Sequence, residues 1–148
     1  MSLDNLVDVR QNHKFEIKEL QKWFDNNIDT YGKIKMIKQF VGGQSNPTYV
    51  LFFYNEKKII LRKQPPGELL PSAHDVAREY KIQKALESST IPCPRMIKFC
   101  DNKNIIGTDF YLMELVEGKV YENILDIKSI ESRKPIYLNL VKMLAKLH

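Results

Sequence analysis

The sequence predicts an α+β fold in which helices flank a five-stranded antiparallel sheet. Three runs rich in β-branched and aromatic residues, at 34–41, 48–54 and 58–63, are separated only by short polar turns, which is typical of an antiparallel meander. Amphipathic helical patterns stand before and after these runs. The chain has 148 residues, 43% of them hydrophobic and 28% charged, which suits one domain with a real core.

The first half of the chain supplies an arm, a helix and the meander. We expect residues 1–14 to form an arm and residues 15–28 to form an amphipathic helix. Its apolar residues recur at three- and four-residue spacing: Ile17, Leu20, Phe24 and Ile28. The three strands of the meander follow, and the consecutive prolines Pro65 and Pro66 then take the chain out of the sheet because neither can donate a ladder hydrogen bond.

The second half supplies two helices and two strands. Ser72 is the predicted N-cap of a helix that runs to about residue 87, with Asp75 as its acidic partner three residues on. Strands are predicted at 95–100 and 110–116, joined by a polar turn at 101–104, and the second of them is apolar enough for a central position. Ser129 caps a final helix that contains Pro135. This helix carries an apolar stripe: Ile136, Leu140, Met143, Leu144 and Leu147.

Several functional classes are disfavoured by composition. No apolar run approaches the roughly 20 residues of a membrane span, and the polar N-terminus has no signal-like apolar region. Cys93 and Cys100 have no neighbouring ligand pair for zinc, so two free thiols in a reducing compartment are expected. We therefore expect an intracellular, cytoplasmic protein. The net charge of +5 comes from lysines spread along the chain, which favours phosphate-bearing ligands over nucleic acid.

A glycine-containing turn joins the first two strands of the meander. Gly42 and Gly43 allow close approach of the backbone to a ligand, and Gln44, Ser45 and Asn46 add polar groups at the tip. A turn of this composition can fold over phosphates, as glycine-rich loops do in kinases. The same residues also suit an ordinary hairpin turn that binds nothing.

Charged residues on the third strand and the following helix suggest a phosphate-binding pair. In a kinase small lobe, a cation on this strand holds phosphates while a Glu on the next helix fixes its position. Arg62 or Lys63 could supply the cation and Glu79 the carboxylate; alternation along the strand does not choose between the two cations, because apolar residues accompany both faces. The alternative is that all three are exposed surface charges.

The end of the fifth strand is a second candidate for ligand binding. Met113, Glu114 and Val116 stand where a central strand passes into a loop that ends at Gly118. An extended segment at such a point can offer backbone groups to the edge of a planar base. The alternative is a plain strand end with its turn.

Taken together, these segments resemble the aminoglycoside phosphotransferase-like family of small-molecule kinases, and in particular its branch associated with acyl-CoA dehydrogenases. Six blocks carry the resemblance in the expected order: FVGGQSNPTY at 40–49, LRKQPPG at 61–67 with LPSAH at 70–74, REY at 78–80, IPCP at 91–94, FYLMELVEG at 110–118 and LAKLH at 144–148. The resemblance implies a protein-kinase-like N-terminal lobe over 15–118, preceded by the arm at 1–14 and followed by a linker and first helix at 119–148.

The resemblance also implies roles for individual residues. Residues 42–46 would be the nucleotide loop, Arg62 would take the place of the family's phosphate-binding lysine, and Glu79 would be its helix partner. Glu114 and Val116 would contact adenine through the backbone, beside Met113. Arginine keeps the charge of lysine but presents a wider fork.

The family's H-G-D-x-x-x-x-N catalytic motif and its later metal-binding Asp have no counterpart in the sequence. We therefore expect the C-terminal lobe to be absent and this chain to contain no catalytic or metal-binding residue. The Mg²⁺ ligands would lie in the missing lobe. The chain alone is expected to have little or no activity. The implied function is ATP binding within a phosphotransferase that acts on a substrate hydroxyl, on a hydroxyacyl thioester by analogy. The alternative is a non-catalytic kinase-like binding or regulatory module. The apolar stripe of the final helix predicts self-association.

Overall fold

A computed structural model describes residues 3–41, 46–67, 73–121 and 123–148 of the chain. In these ranges it contains a six-stranded sheet, four α-helices and short 3-10 turns. The elements, in chain order, are β1 (Leu6–Val7), α1 (Ile17–Asn27), β2 (Ile34–Phe40), β3 (Thr48–Phe53), β4 (Lys58–Lys63), α2 (Val76–Leu86), β5 (Met96–Cys100), α3 (Lys103–Ile106), β6 (Phe110–Glu114) and α4 (Ile130–Leu147).

The sheet has the strand order β1-β2-β3-β4-β6-β5, and all neighbouring strands are antiparallel. The predicted meander is confirmed as β2, β3 and β4. Strand β6 lies between β4 and β5, and its first four residues are buried, as the apolar run had predicted. The α+β fold class is therefore confirmed, and the strand count is six instead of five.

The sixth strand comes from the segment that was expected to be only an arm. Leu6 pairs with Phe40 and Val7 with Gln39, at the edge of the sheet. The arm is held further by Arg10, whose backbone N–H donates to Gln39 Oε1 at 3.1 Å and whose Nη2 donates to the Val41 carbonyl at 2.9 Å. A two-residue strand is too short to show an alternating pattern, so its pairing could not be predicted from periodicity.

The start of α2 and the turn at 101–104 differ most from the prediction, and the other predicted elements agree to within about two residues. Helix α2 begins at Val76, and its N-cap is Asp75, whose Oδ1 accepts from the Arg78 N–H at 2.8 Å. The predicted N-cap, Ser72, lies outside the described residues. Asp75, which was expected to be the acidic partner of that cap, is itself the N-cap. The polar turn expected at 101–104 contains the start of α3, a short helix capped by the Asn102 side chain.

Each face of the sheet carries its own apolar core. One core packs against α1 and includes Leu20, Phe24 and Tyr49 together with Ile59 and Leu61 of β4. The other packs against α2 through Val76 and is formed on the sheet side by Val50, Ile60, Met96, Tyr111 and Met113. Because consecutive residues of a strand point to opposite faces, β4 contributes to both cores alternately.

Helix α4 begins after Ser129, whose Oγ accepts from the Ser132 N–H as predicted, and it continues through Pro135. None of its residues is buried. Apolar residues along it are between about a third and two thirds exposed: Ile136, Tyr137, Leu138, Leu140, Val141, Leu144 and Leu147. Within the described ranges, no helix has the length and apolarity needed to cross a membrane.

Candidate functional site

A charged pair joins β4 to α2 on one face of the sheet. Arg62 pairs across the sheet with Thr48 of β3 and with Tyr111 of β6, so the three residues form a row beneath α2. The Nε of Arg62 donates to Glu79 Oε2 at 2.8 Å, and its Nη2 approaches Glu79 Oε1 at 3.4 Å. Both side chains are only partly exposed, at 23% for Arg62 and 31% for Glu79.

The guanidinium of Arg62 is also held by the strand that follows the glycine-containing turn. Its Nη1 donates to Thr48 Oγ1 at 2.8 Å and to the Asn46 carbonyl at 3.3 Å. Four of its five N–H groups thus have acceptors among the described residues, and the second N–H of Nη2 has none among them. The arrangement fixes the rotamer of Arg62 and leaves it one donor and a partly exposed positive charge.

Glu79 is the centre of a second set of hydrogen bonds. Its Oε1 accepts from Asn46 Nδ2 at 2.8 Å, and its Oε2 accepts from the Tyr111 hydroxyl at 3.1 Å. Gln83, one turn further along α2, donates to that hydroxyl at 3.2 Å. The carboxylate is therefore fixed from the turn, from β4 and from β6 at once.

The electrostatics of the site favour an ionised Glu79. Burial by itself would raise the pKa of the Glu79 carboxyl, but the hydrogen bond and charge of Arg62, with the bonds from Tyr111 and Asn46, hold this pKa below its ordinary value. Burial, with the negative charge of Glu79, raises the pKa of Tyr111 to about 12. The tyrosine is thus a neutral hydrogen-bond donor to an ionised carboxylate.

The choice between Arg62 and Lys63 is decided by the geometry of β4. Lys63 points to the opposite face of the sheet, where it is 3% exposed. Its Nζ lies 3.4 Å from the Ile106 carbonyl and 5.2 Å from the centre of the Phe15 ring. Arg62 is therefore the cation that meets Glu79, and Lys63 belongs to the α1 face.

The other residues singled out from the sequence are placed as follows. Asn46 is buried in the Arg62–Glu79 network, whereas Gly42, Gly43, Gln44 and Ser45 lie outside the described residues. Met113 is 4% exposed, in the core beneath α2. The Glu114 N–H donates to the Arg95 carbonyl at 3.0 Å, and Val116 lies in the exposed segment beyond β6. The structure thus gathers Asn46, Arg62 and Glu79 directly.

Three members of the network, Thr48, Gln83 and Tyr111, were not predicted from the sequence. Thr48 and Tyr111 stand inside strand patterns, where a hydroxyl-bearing residue is ordinarily interpreted as part of the sheet packing. A signal was nevertheless present for Tyr111. It is the second residue of the near-continuously apolar strand β6, and a buried tyrosine hydroxyl requires a hydrogen-bond partner.

The family model described as "Phosphotransferase enzyme family" matches residues 36–148, a range that includes Asn46, Arg62 and Glu79. The chain belongs to the phosphotransferase enzyme family. The predicted resemblance is thereby confirmed, and the match extends from the meander through α4.

Curated relatives of this phosphotransferase-family chain are much longer proteins. It is 40% identical over 147 residues to acyl-CoA dehydrogenase family member 11 of Rattus norvegicus, covering 96% of the chain and 19% of that relative. It is 35% identical over 151 residues to acyl-CoA dehydrogenase family member 10 of Mus musculus, covering 100% of the chain and 14% of that relative. The chain therefore spans about a fifth or less of the length of these relatives.

A solved structure shares the fold. A crystal structure described as a "putative aminoglycoside phosphotransferase" from Ralstonia eutropha superposes with a TM-score of 0.61 at 29% sequence identity. The match covers 73% of this chain and 30% of that one. The architecture described above is therefore that of a kinase-like phosphotransferase.

Proposed function

We propose that this chain is the ATP-binding lobe of a small-molecule phosphotransferase. The observation that carries the proposal is the Arg62–Glu79 ion pair, with an Nε–Oε2 distance of 2.8 Å, set directly beside Asn46 at the end of the glycine-containing turn. A fixed, charged group in this position is what phosphoryl transfer requires for holding the phosphates of a nucleotide.

The remaining donor and the partly exposed charge of Arg62 suit a phosphate group. The remaining N–H of Arg62 Nη2 and the partly exposed guanidinium charge would meet a phosphate oxygen, and Glu79 would keep the guanidinium in place. Gly42, Gly43, Gln44 and Ser45 would cover the phosphates in this proposal. Glu114 and Val116 would offer backbone groups to adenine, with Met113 packed behind them.

The acceptor is proposed to be a substrate hydroxyl. The names of the curated relatives refer to acyl-CoA dehydrogenases, which makes a hydroxylated acyl thioester the analogous acceptor. The described residues contain no group of three or more His, Cys, Asp or Glu side chains that could hold a metal. We propose that the Mg²⁺ ligands and the base that orients the acceptor belong to a C-terminal lobe of the kind that the resemblance implies, and that Mg²⁺ arrives bound to ATP.

Nucleotide binding by the purified chain tests the proposal. We expect Arg62→Ala to weaken ATP binding by about tenfold or more, since loss of a charge-assisted hydrogen bond of about 1.5–3 kcal/mol corresponds to a factor of that order. Glu79→Gln should weaken binding less, because it keeps the shape but loosens the hold on Arg62. Isothermal titration with ATP measures both. Lys33→Ala is the matched control, because it also removes a cation from an ion pair, here the exposed pair with Asp25 of α1.

A second variant separates binding from folding. Arg62→Ala leaves the Glu79 carboxylate without its main partner and is expected to destabilise the fold. Replacing both partners, with Arg62→Met and Glu79→Leu together, removes the charges while keeping apolar volume. If this variant has a melting temperature near that of the wild type and still binds ATP equally well, the proposed phosphate-binding role of Arg62 is wrong. The ion pair would then serve only to join β4 to α2. That result would favour a non-catalytic binding module.

Turnover by the chain itself is expected to be negligible. Incubation with ATP, Mg²⁺ and hydroxylated acyl thioesters, followed by chromatographic measurement of ADP, should show no more product than the Arg62→Ala variant. Sustained ADP formation that Arg62→Ala abolishes would contradict the inactivity of the isolated chain, while supporting the role of Arg62.

A further inference from the structure

A concave region of about 500 Å³ lies on the opposite face of β4 from the Arg62 site. It is bordered by the arm at Asn12 and Lys14, by the Pro65–Pro66 turn that follows β4, and by α3 at Lys103. Lys63, the last residue of β4, is part of its lining. The region therefore gathers three lysines from three separate parts of the chain.

Lys63 is the unusual member of this set. Lys63 is only 3% exposed, yet its ammonium group has three N–H donors that need acceptors. Within the described part of the chain, its one hydrogen-bond acceptor is the Ile106 carbonyl, at 3.4 Å, beyond the usual range for a strong N–H···O bond. The Phe15 ring adds a cation–π contact at 5.2 Å, which offsets only part of the lost hydration.

The charged side chains that line this region have the same sign. Lys14 and Lys103 line the same region, and no Asp or Glu of the described residues lines it. Across the described ranges, none of these three lysines forms an ion pair. Burial lowers the pKa of Lys63, which is the direction expected for a buried ammonium without a counter-charge.

We propose that this region, the lysine pocket formed by Lys14, Lys63 and Lys103, binds a phosphate-bearing small molecule. A phosphate group supplies several acceptor oxygens and the opposite charge, so it would satisfy the donors of Lys63 that the Ile106 carbonyl does not reach. Lysines act as point charges toward phosphate, and three that line one concave region supply positive charge for a multiply charged anion. The pocket is separate from the Arg62 site, because alternation along β4 places adjacent residues on opposite faces.

Inorganic pyrophosphate is the probe, and the Arg62→Met, Glu79→Leu variant is the background in which the Arg62 site no longer contributes. In that background we expect titration calorimetry, at constant ionic strength set with NaCl, to show saturable pyrophosphate binding. Adding Lys63→Met, which keeps most of the length of the side chain and removes its charge, should weaken that binding by at least about tenfold, as expected for loss of a charge-assisted contact. Adding Lys33→Ala should leave it unchanged.

Three results would overturn the proposal. One is the absence of saturable binding in the Arg62→Met, Glu79→Leu background. Another is binding that Lys63→Met leaves intact, which would mean that Lys63 only contacts the end of α3. The third result concerns the case in which Lys63→Met does not fold. The double variant Lys14→Ala, Lys103→Ala then tests the same pocket, and an unchanged affinity for pyrophosphate in that variant would overturn the proposal. Failure here leaves ATP binding at Arg62 untouched, since that is measured with intact Arg62 and Glu79.

Discussion

Arg62 and Lys63 are neighbours in sequence with separate environments in the fold. Arg62 meets Glu79 under α2, whereas Lys63 is buried against Phe15 on the α1 side. The sequence offered both as the phosphate-binding cation. Strand alternation could not separate them, because this sheet is covered on both faces and each cation has apolar neighbours two residues away. Only the position of α2 on one face decides that Arg62 meets Glu79.

Tyr111 is expected to be a positioning residue for the Arg62–Glu79 pair. Tyr111→Phe removes the hydroxyl that donates to Glu79 Oε2 at 3.1 Å while keeping the ring in the core. We expect a loss of about 1.5–3 kcal/mol in the free energy of unfolding, as for a hydrogen bond to a charged group, and weaker ATP binding. Urea denaturation and titration calorimetry measure the two effects. Tyr54→Phe is the control, because Tyr54 is 70% exposed; equal effects of the two changes would argue against this role.

The ionisation of Glu79 predicts a specific pH dependence. Its pKa is lowered in the folded chain, so the carboxylate contributes stability above its ordinary value of 4.5, and this contribution is lost as the pH falls through the folded value. We expect the difference in free energy of unfolding between wild type and Glu79→Gln to be constant near neutral pH and to shrink below 4.5. Denaturant titrations at a series of pH values measure it.

Comparison with Glu79→Gln is needed because other carboxyl groups also titrate in this range. Hydrogen bonding to lysine lowers the pKa of Asp8, Asp25 and Glu87 as well. These groups are common to both proteins, so their effects cancel in the difference. A difference that stays constant down to the acid transition would show that Glu79 is not stabilised as an anion.

At the scale of elements, the strands and helices with clear periodicity were predictable and the short ones were not. The meander, the central β6 and the cap of α4 are found where the sequence placed them. β1 and α3 were missed because two or four residues carry no periodic signal; they form through contacts with distant segments. The start of α2 was predicted too early, since both Ser72 and Asp75 have side chains suited to capping and the pattern could not rank them.

Asp75 is expected to stabilise α2 as its N-cap. Asp75→Ala removes the acceptor of the Arg78 N–H and should cost about 1 kcal/mol in the free energy of unfolding. Because Glu79 is in the first turn of α2, fraying there should also weaken ATP binding. Denaturant unfolding and ATP titration measure both. Asp101→Ala, in an exposed loop, is the control; a loss no greater than that of the control would mean that the cap contributes little.

At the scale of the whole molecule, the two faces of the sheet bear different sites. The proposed nucleotide site lies on the α2 face, and the lysine pocket lies on the α1 face near the arm. The resemblance pointed to the first because it implies roles for Asn46, Arg62 and Glu79, with Arg62 in place of the family's lysine. Nothing in the sequence pointed to the second, since Lys14, Lys63 and Lys103 are far apart along the chain and come together only through folding.

Helix α4 is expected to make the isolated chain self-associate. Its apolar residues Leu140 and Leu144 are about half exposed, and exposed apolar surface of this kind favours association. Sedimentation velocity over a range of concentrations should show assembly of the wild type. Leu140→Glu with Leu144→Glu should give monomers, whereas Asn139→Glu, on the same helix, should not. A wild type that remains monomeric at all concentrations would contradict the prediction.

Arg62 and Lys63 point to opposite faces of the sheet, so the order of these two residues in β4 decides which cation lies on which face. A chain carrying Arg62→Lys and Lys63→Arg would have the same composition, mass and net charge as the original, so neither mass measurement of the intact protein nor its isoelectric point would distinguish the two isomers. The fold would distinguish them, because a guanidinium is bulkier than the ammonium that the Phe15 side encloses. Two proteins with the same composition, mass and net charge are thus expected to differ in melting temperature and in their response to phosphate.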